Sequence, residues 1–135
     1  PVNRVWRWTG GRSWSGEGIG GHGRAALRPS GSWHGSDSDA FWGPSVHWNT
    51  YLDANVILLN RTRGPLFEQE GAYILFAPNL ADPDTWTSPE KIINGGDWYV
   101  QVVGDSQERG TDSIAGQSAR LFMHGTSQFR LRFTK

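Results

Sequence analysis

The chain of 135 residues contains 18 glycines and 7 prolines, only 19% of its residues are charged, and its formal net charge is zero. This turn-rich composition disfavours a helical bundle, because long helices are built mainly from Ala, Leu, Glu and Lys. The 8 Trp, 6 Phe and 3 Tyr also disfavour disorder, which is typical of chains with few aromatic residues. We therefore expect one all-β domain with a sizeable hydrophobic core.

The charge balance and the lack of cysteine exclude further classes of protein. The arginines are dispersed and form no basic stripe, so nucleic acid is not an expected partner. No apolar run approaches the length of a membrane span or of a signal-peptide core, so we expect a soluble chain with no membrane partner. Without cysteine there is neither a disulfide scaffold nor a zinc ribbon, and the cellular compartment stays open.

The four strands predicted first after residue 40 form one meander, which begins with a hairpin. Glycine and proline punctuate residues 1–40, where only the short segments 5–8 and 25–27 are candidate strands. Residues 45–51 and 56–60 are rich in β-branched and aromatic side chains and flank a turn, which predicts a hairpin. The apolar run 56–59 does not alternate with polar residues, which indicates a strand covered on both faces.

The later strands repeat this arrangement. Strands at residues 72–77 and 90–93 complete the first meander, and strands at 98–103, 119–124 and 129–133 form a second, shorter one. The last strand alternates Phe or Leu with Arg, so we expect it at a sheet edge with its Arg face in solvent.

Successive antiparallel meanders are typical of β-propeller blades. We divide the chain into a partial blade at residues 1–40, a full blade at 41–95 and an incomplete blade at 96–135, which makes about two and a half blades. A free-standing β-sandwich is the alternative architecture.

Several segments resemble a known family. They are Phe41-Trp42-Gly43-Pro44-Ser45-Val46-His47-Trp48-Asn49-Thr50, Gln69-Glu70-Gly71-Ala72-Tyr73, and residues 79–86, 96–104 and 110–116. With these segments the chain resembles five-bladed β-propellers of the glycoside hydrolase family 43 type, and more closely the C-terminal part of bacterial relatives of those enzymes. The resemblance runs from Val5 to Phe133 and covers only part of the family's fold. It implies propeller blades and a pocket for sugars.

The resemblance does not carry catalysis over to this chain. In such enzymes a carboxylate-Gly-Pro triplet supplies the general acid, and two aspartates from earlier blades supply the base and tune the acid's pKa. Here the triplet reads Trp42-Gly43-Pro44, and an indole cannot donate a proton to a leaving group. We therefore predict a carbohydrate-binding or glycosidase-like propeller protein and leave open whether it is an enzyme. The alternative is a non-catalytic structural or assembly module.

Four residues are predicted to bind substrate: Trp42, His47, Trp48 and Glu70. Indole faces stack on sugar C–H surfaces, whereas most of the other tryptophans are expected to pack in the core. His47 lies in the middle of the strand that the resemblance makes innermost. It could bind a sugar hydroxyl or a metal there, or it could be a buried structural hydrogen-bonding residue.

Glu70 and Glu68 flank one residue, so strand alternation places both carboxylates on one side, as glycoside hydrolysis requires. A solvated loop or a structural salt bridge is the alternative for this pair. We expect the four residues at one end of the propeller axis, although alternation separates His47 from Trp48.

No metal and no other cofactor is predicted. The four histidines show no spacing typical of metal ligands. Asp37 and Asp39 are two residues apart, but no third oxygen ligand follows at a spacing like that of a calcium-binding loop.

Assembly is the last expectation. Two and a half blades would leave strand edges and apolar blade faces open, which soluble proteins rarely tolerate. A symmetric homodimer would close a five-bladed ring. In it, residues 129–133 would pair with a segment of the partner near residues 5–8 or 25–27.

Overall fold

The computed structural model describes residues 7–10, 13–15, 26–27, 36–106 and 110–135. Within these residues the fold is all-β and contains no α-helix, and no helix there is long and apolar enough to cross a bilayer. The strands are β1 (Arg7–Gly10), β2 (Ser13–Ser15), β3 (Asp39–Asn49), β4 (Ala54–Arg63), β5 (Glu68–Ala77), β6 (Glu90–Asn94), β7 (Gln101–Gly104), β8 (Ile114–Ala115), β9 (Ser118–Met123) and β10 (Thr126–Arg132). A short 3-10 turn, Pro83–Thr85, lies between β5 and β6.

A five-stranded sheet has the order β6-β5-β4-β3-β8. Strands β3 to β6 form the antiparallel meander that the sequence predicts. The β3–β4 turn is stabilised by the buried Asn49, whose Oδ1 accepts the backbone N–H groups of Tyr51 and Leu52 at 3.1 and 2.9 Å. Asn49 also donates to the carbonyl of Gly116 at 3.0 Å, which attaches β8 to β3.

A three-stranded sheet has the order β10-β9-β7. Strand β10 lies at its edge and Arg130 and Arg132 are exposed, which confirms the prediction for residues 129–133. Strand β7 is shorter than predicted, because Tyr99 adopts a left-handed backbone with φ of 57° and cannot continue an extended strand.

The main core lies between the two sheets. Val56 and Leu58 of β4 face the three-stranded sheet, whereas Ile57 and Leu59 point to the opposite side and form a second cluster with Tyr73. Leu27, Phe41 and Trp86 pack against this second cluster. The prediction that residues 56–59 are covered on both faces is therefore confirmed. We call the side toward the three-stranded sheet the inner face of the five-stranded sheet, and the other side its outer face.

The N-terminal predictions fall largely outside the described residues. Strand β1 begins at Arg7 and pairs with β2, so it overlaps only the end of the predicted strand 5–8, whose first two residues lie outside the described part. Ala26 and Leu27 form a bend and not the predicted strand, and residue 25 lies outside. The count of propeller blades and the closure of a ring stay predictions.

Candidate functional site

The site is built on a bulge in β3. The register between β3 and β4 shifts between Trp42 and Ser45, where Gly43 has a φ of 59°. Pro44 follows and lacks a backbone N–H, which suits a bulge at a free strand edge. A Cβ atom on Gly43 would lie 3.2 Å from Oδ1 of Asn60, so the bulge leaves little room for a side chain. The bulge turns the Trp42 ring toward the segment that leads into β7.

Three aromatic rings meet at this bulge. The Trp42 ring lies 4.8 Å from the Trp98 ring and 5.3 Å from the Tyr99 ring, measured between centroids. We call these three residues the aromatic cluster. Tyr99 remains 59% exposed although it is part of this cluster. The His124 ring also lies 6.4 Å from it, nearly at a right angle, and the exposed part of Tyr99 is available to a ligand.

Asn60 fixes the backbone of the aromatic cluster from β4. Its Oδ1 accepts the Val100 N–H at 3.2 Å, and its Nδ2 donates to the Asp97 carbonyl at 3.3 Å. Asn60 itself is fully buried. Since both hydrogen bonds flank Tyr99, they hold that residue in its left-handed conformation.

A cleft of about 340 Å³ opens beside the aromatic cluster. It is lined by residues 43–46 of β3, by residues 99–101 and by Asp112. β8 pairs with β3 only at Trp48 and Asn49, and none of the described strands pairs with the bulged part of that edge, where the cleft lies.

Polar groups surround the exposed Tyr99 ring in the cleft. The Trp48 N–H donates to the Ser113 carbonyl at 2.8 Å, on the β8 side of β3. Because N–H directions alternate along a strand, the Val46 N–H points to the same side, where the cleft is. Together with Gln101 and Asp112 this offers hydrogen-bond donors and acceptors next to an aromatic surface.

His47 lies on the inner face and is only 1% exposed. Among the residues that the structure describes, neither of its ring nitrogens has a hydrogen-bond partner, and its ring lies 6.0 Å from that of Phe133. Burial lowers the pKa of His47 to about 4, so the imidazole is neutral at physiological pH. This burial agrees with the structural alternative given for His47, and the hydrogen bond that this alternative expects is not formed among the described residues. A ligand at the surface does not reach this side chain.

Trp48 lies on the outer face, on the opposite side of β3 from His47. It is 36% exposed, and its register partner on β8 is the exposed Ile114. Val46, two residues away on the same face, is exposed as well. We call Val46, Trp48 and Ile114 the Trp48 patch.

Glu70 belongs to an ion-pair network near the outer-face cluster. Its carboxylate accepts the Tyr73 hydroxyl at 2.7 Å and forms a short ion pair with Lys91. Partial burial alone would raise its pKa, but the hydrogen bonds from Lys91 and Tyr73 outweigh burial and hold the pKa of Glu70 below its ordinary value. Glu70 is therefore ionised at neutral pH, and a hydrolytic proton donor must be protonated. Glu68 is exposed and takes no part in this network.

The same network continues to β3. Arg61 donates to both carboxylate oxygens of Asp39 at 2.7 Å and to the Tyr73 hydroxyl at 3.2 Å. Asp39, which the sequence suggested as half of a weak cation site, is thus one partner of an ion pair. These contacts connect β3, β4, β5 and β6.

The four predicted binding residues do not gather in one place. Trp42 and His47 lie on the inner face, but Trp42 contacts residues at the start of β7 and His47 contacts Phe133, near the far end of β10. Trp48 and Glu70 lie on the outer face. Only Trp42 belongs to the aromatic cluster beside the cleft.

Sequence reasoning missed Tyr99, Gln101 and Asp112. The sequence predicts that Tyr99 lies in a continuous strand. The local signal against this prediction is the preceding pair Gly95-Gly96, and in the structure both glycines have positive φ.

Within the described residues no group of three or more His, Asp or Glu side chains is placed to hold a metal ion. Comparison of the chain with protein-family models, curated proteins and solved structures finds no match. The resemblance to family 43-type propellers therefore stays a prediction.

Proposed function

We propose that this chain binds a carbohydrate at the cleft beside the aromatic cluster, without hydrolysing it. The observation that carries the proposal is Tyr99, a ring that stays 59% exposed while Trp42 and Asn60 fix its position at the cleft wall. A fixed aromatic face beside hydrogen-bonding groups fits the alternation of C–H surfaces and hydroxyls on a sugar.

Binding without hydrolysis follows from the carboxylates. Glycoside hydrolysis needs two carboxyl groups roughly 5 to 10 Å apart across the scissile bond. Asp112 is the one carboxylate lining the cleft among the residues that the structure describes. Glu70 is held in its ion pair with Lys91, and the Trp42 indole N–H, at the position of the family's general acid, is far too weak an acid to protonate a leaving group.

The experiment is calorimetric titration with arabinose- and xylose-containing oligosaccharides, with product analysis after long incubation. Tyr99→Asn removes the ring while keeping a residue that tolerates a left-handed backbone. We expect it to weaken binding about tenfold or more, since stacked aromatic residues commonly dominate binding energy.

Phe67→Asn is the matched control. Phe67 is also an exposed aromatic residue with a left-handed backbone, at φ of 53°, and it lies in the β4–β5 turn away from the cleft lining. Equal loss in both variants, or no binding by the unmodified protein, would contradict the proposal. Release of shorter sugars would contradict its non-hydrolytic part.

Self-association is the second candidate, and the β10 edge favours it. This candidate does not rest on the open apolar blade faces that the sequence predicts, because the two sheets cover each other at the main core. What remains is an edge strand of seven residues with Phe129 half-exposed on it. An added strand from a second copy would pair with this edge and cover Phe129.

Light scattering across a dilution series tests this candidate. A dimer that Phe129→Glu converts to a monomer supports it, because a buried unpaired carboxylate would oppose the interface. A folded, monomeric unmodified protein excludes it.

A further inference from the structure

The Trp48 patch is an exposed apolar surface that extends beyond the lining of the first cleft. Val46, Trp48 and Ile114 are between 36% and 49% exposed. Trp48 and Ile114 are direct register partners on neighbouring strands, and Val46 is next but one to Trp48 on the same face. The three side chains therefore form one continuous surface.

This patch lies between two clefts. Val46 belongs both to the patch and to the lining of the 340 Å³ cleft. A second cleft of about 170 Å³ is lined by Thr50, Thr111 and Ile114, among other residues. Ile114 thus joins the patch to the second cleft as Val46 joins it to the first.

We infer that the ligand is an oligosaccharide chain that runs from the first cleft across the Trp48 patch toward the second cleft. This inference rests on the proposed function and specifies its substrate class. Val46 and Thr50 are four residues apart along an extended chain, about 13 Å, which is longer than one sugar ring. Trp48 offers a second stacking ring beyond Tyr99. At the far end Thr111 offers a hydroxyl, and the Thr50 hydroxyl, which donates to the Ala115 carbonyl at 3.3 Å, can still accept a hydrogen bond.

The test is the dependence of affinity on ligand length. The unmodified protein is titrated with xylo-oligosaccharides, and in parallel arabino-oligosaccharides, from the disaccharide to the hexasaccharide. We expect the dissociation constant to fall about tenfold or more over this series, because longer chains reach the second ring. Trp48→Ala should flatten the series to within about twofold while leaving the disaccharide affinity unchanged.

Three further variants keep the test independent of folding. Trp48→Phe retains a stacking ring and should restore most of the length dependence. Ile114→Ser should also reduce the length dependence, because Ile114 is the register partner of Trp48 on β8. Ile92→Ala removes an equally exposed apolar side chain from β6, at the opposite edge of the sheet, and should leave the series unchanged. Thermal melting checks that each variant is folded.

The outcomes separate this inference from the proposed function. If Trp48→Ala keeps the full length dependence while Tyr99→Asn weakens every ligand, the oligosaccharide path is wrong and the cleft proposal stands. If the unmodified protein gains nothing from longer ligands, the path is also wrong. If no ligand of any length binds, the proposed function fails, and this inference with it.

Discussion

The buried imidazole of His47 should make the stability of this fold depend on pH, and the size of the effect can be worked out. Its pKa is lowered from an ordinary value of 6.5 to about 4 by burial. Between these two values the unfolded chain binds a proton that the folded protein does not bind. The free energy of unfolding therefore decreases as the pH falls from 6.5 toward 4, by about 3 kcal/mol in total. Above pH 6.5 the titration of His47 adds no further pH dependence to the free energy of unfolding.

His47→Leu removes the titrating group and both unpartnered ring nitrogens. Near pH 7 we expect the variant to be at least as stable as the unmodified protein, because an unsatisfied buried polar atom costs about 1 to 3 kcal/mol. At pH 4.5 the variant should be more stable by a further 2 to 3 kcal/mol, roughly, since only the unmodified protein must protonate on unfolding.

Urea denaturation at several pH values between 4 and 7.5 measures both effects. His124→Gln is the control, because the side chain of His124 is 68% exposed; it pairs with the exposed Asp97, and its ring lies 6.4 Å from the Tyr99 ring. It should not reproduce the gain in stability that His47→Leu shows at pH 4.5, because it removes no buried imidazole. Parallel curves for His47→Leu and the unmodified protein over this range would contradict the desolvation of the imidazole that the structure shows.

Three further substitutions test the ion-pair network, the bulge and the cleft. Arg61→Met should cost about 3 to 5 kcal/mol in urea denaturation, because it removes the guanidinium that binds both oxygens of the buried Asp39 carboxylate; combining it with Asp39→Asn should recover part of that loss, and additive losses would mean that the pair contributes nothing. Gly43→Ala should cost about 1 to 2 kcal/mol and weaken sugar binding, because φ of 59° disfavours a Cβ that would also press on Asn60; unchanged melting and affinity would show that the bulge tolerates a side chain. Asp112→Asn should raise the affinity for uronic-acid-containing oligosaccharides several-fold over neutral ones in calorimetry, since it removes a repelling carboxylate from the cleft, and equal changes for both ligands would place Asp112 outside the binding site.

Local patterns in the sequence were sufficient to predict the meander β3 to β6, the strands β9 and β10, and the burial of β4 on both faces. The uninterrupted apolar run 56–59 has one physical solution in a β-sheet, which is burial on both faces, and the Arg alternation of residues 129–133 fits a solvated edge. Alternation also correctly placed His47 and Trp48 on opposite sides of β3. These features depend only on neighbours in the chain.

The cleft could not be predicted in this way, because distant residues define it. Asn60 holds Val100 from 40 positions away, and this contact fixes Tyr99 in a conformation that its own neighbours do not demand. Glu70 looked like half of a catalytic pair because Lys91, its partner, lies 21 positions further along the chain. A side chain's chemistry depends on such partners, and the sequence does not give their positions.

The path of the chain through β8 links the two sheets mechanically. After β7 the chain leaves the three-stranded sheet, pairs two residues with β3 in the other sheet, and then returns to form β9 beside β7. Because the segment between β7 and β9 is paired with β3, separating the two sheets must also break the β3–β8 hydrogen bonds. The two sheets should therefore unfold in one cooperative transition, and neither sheet can be excised as an independently folding unit.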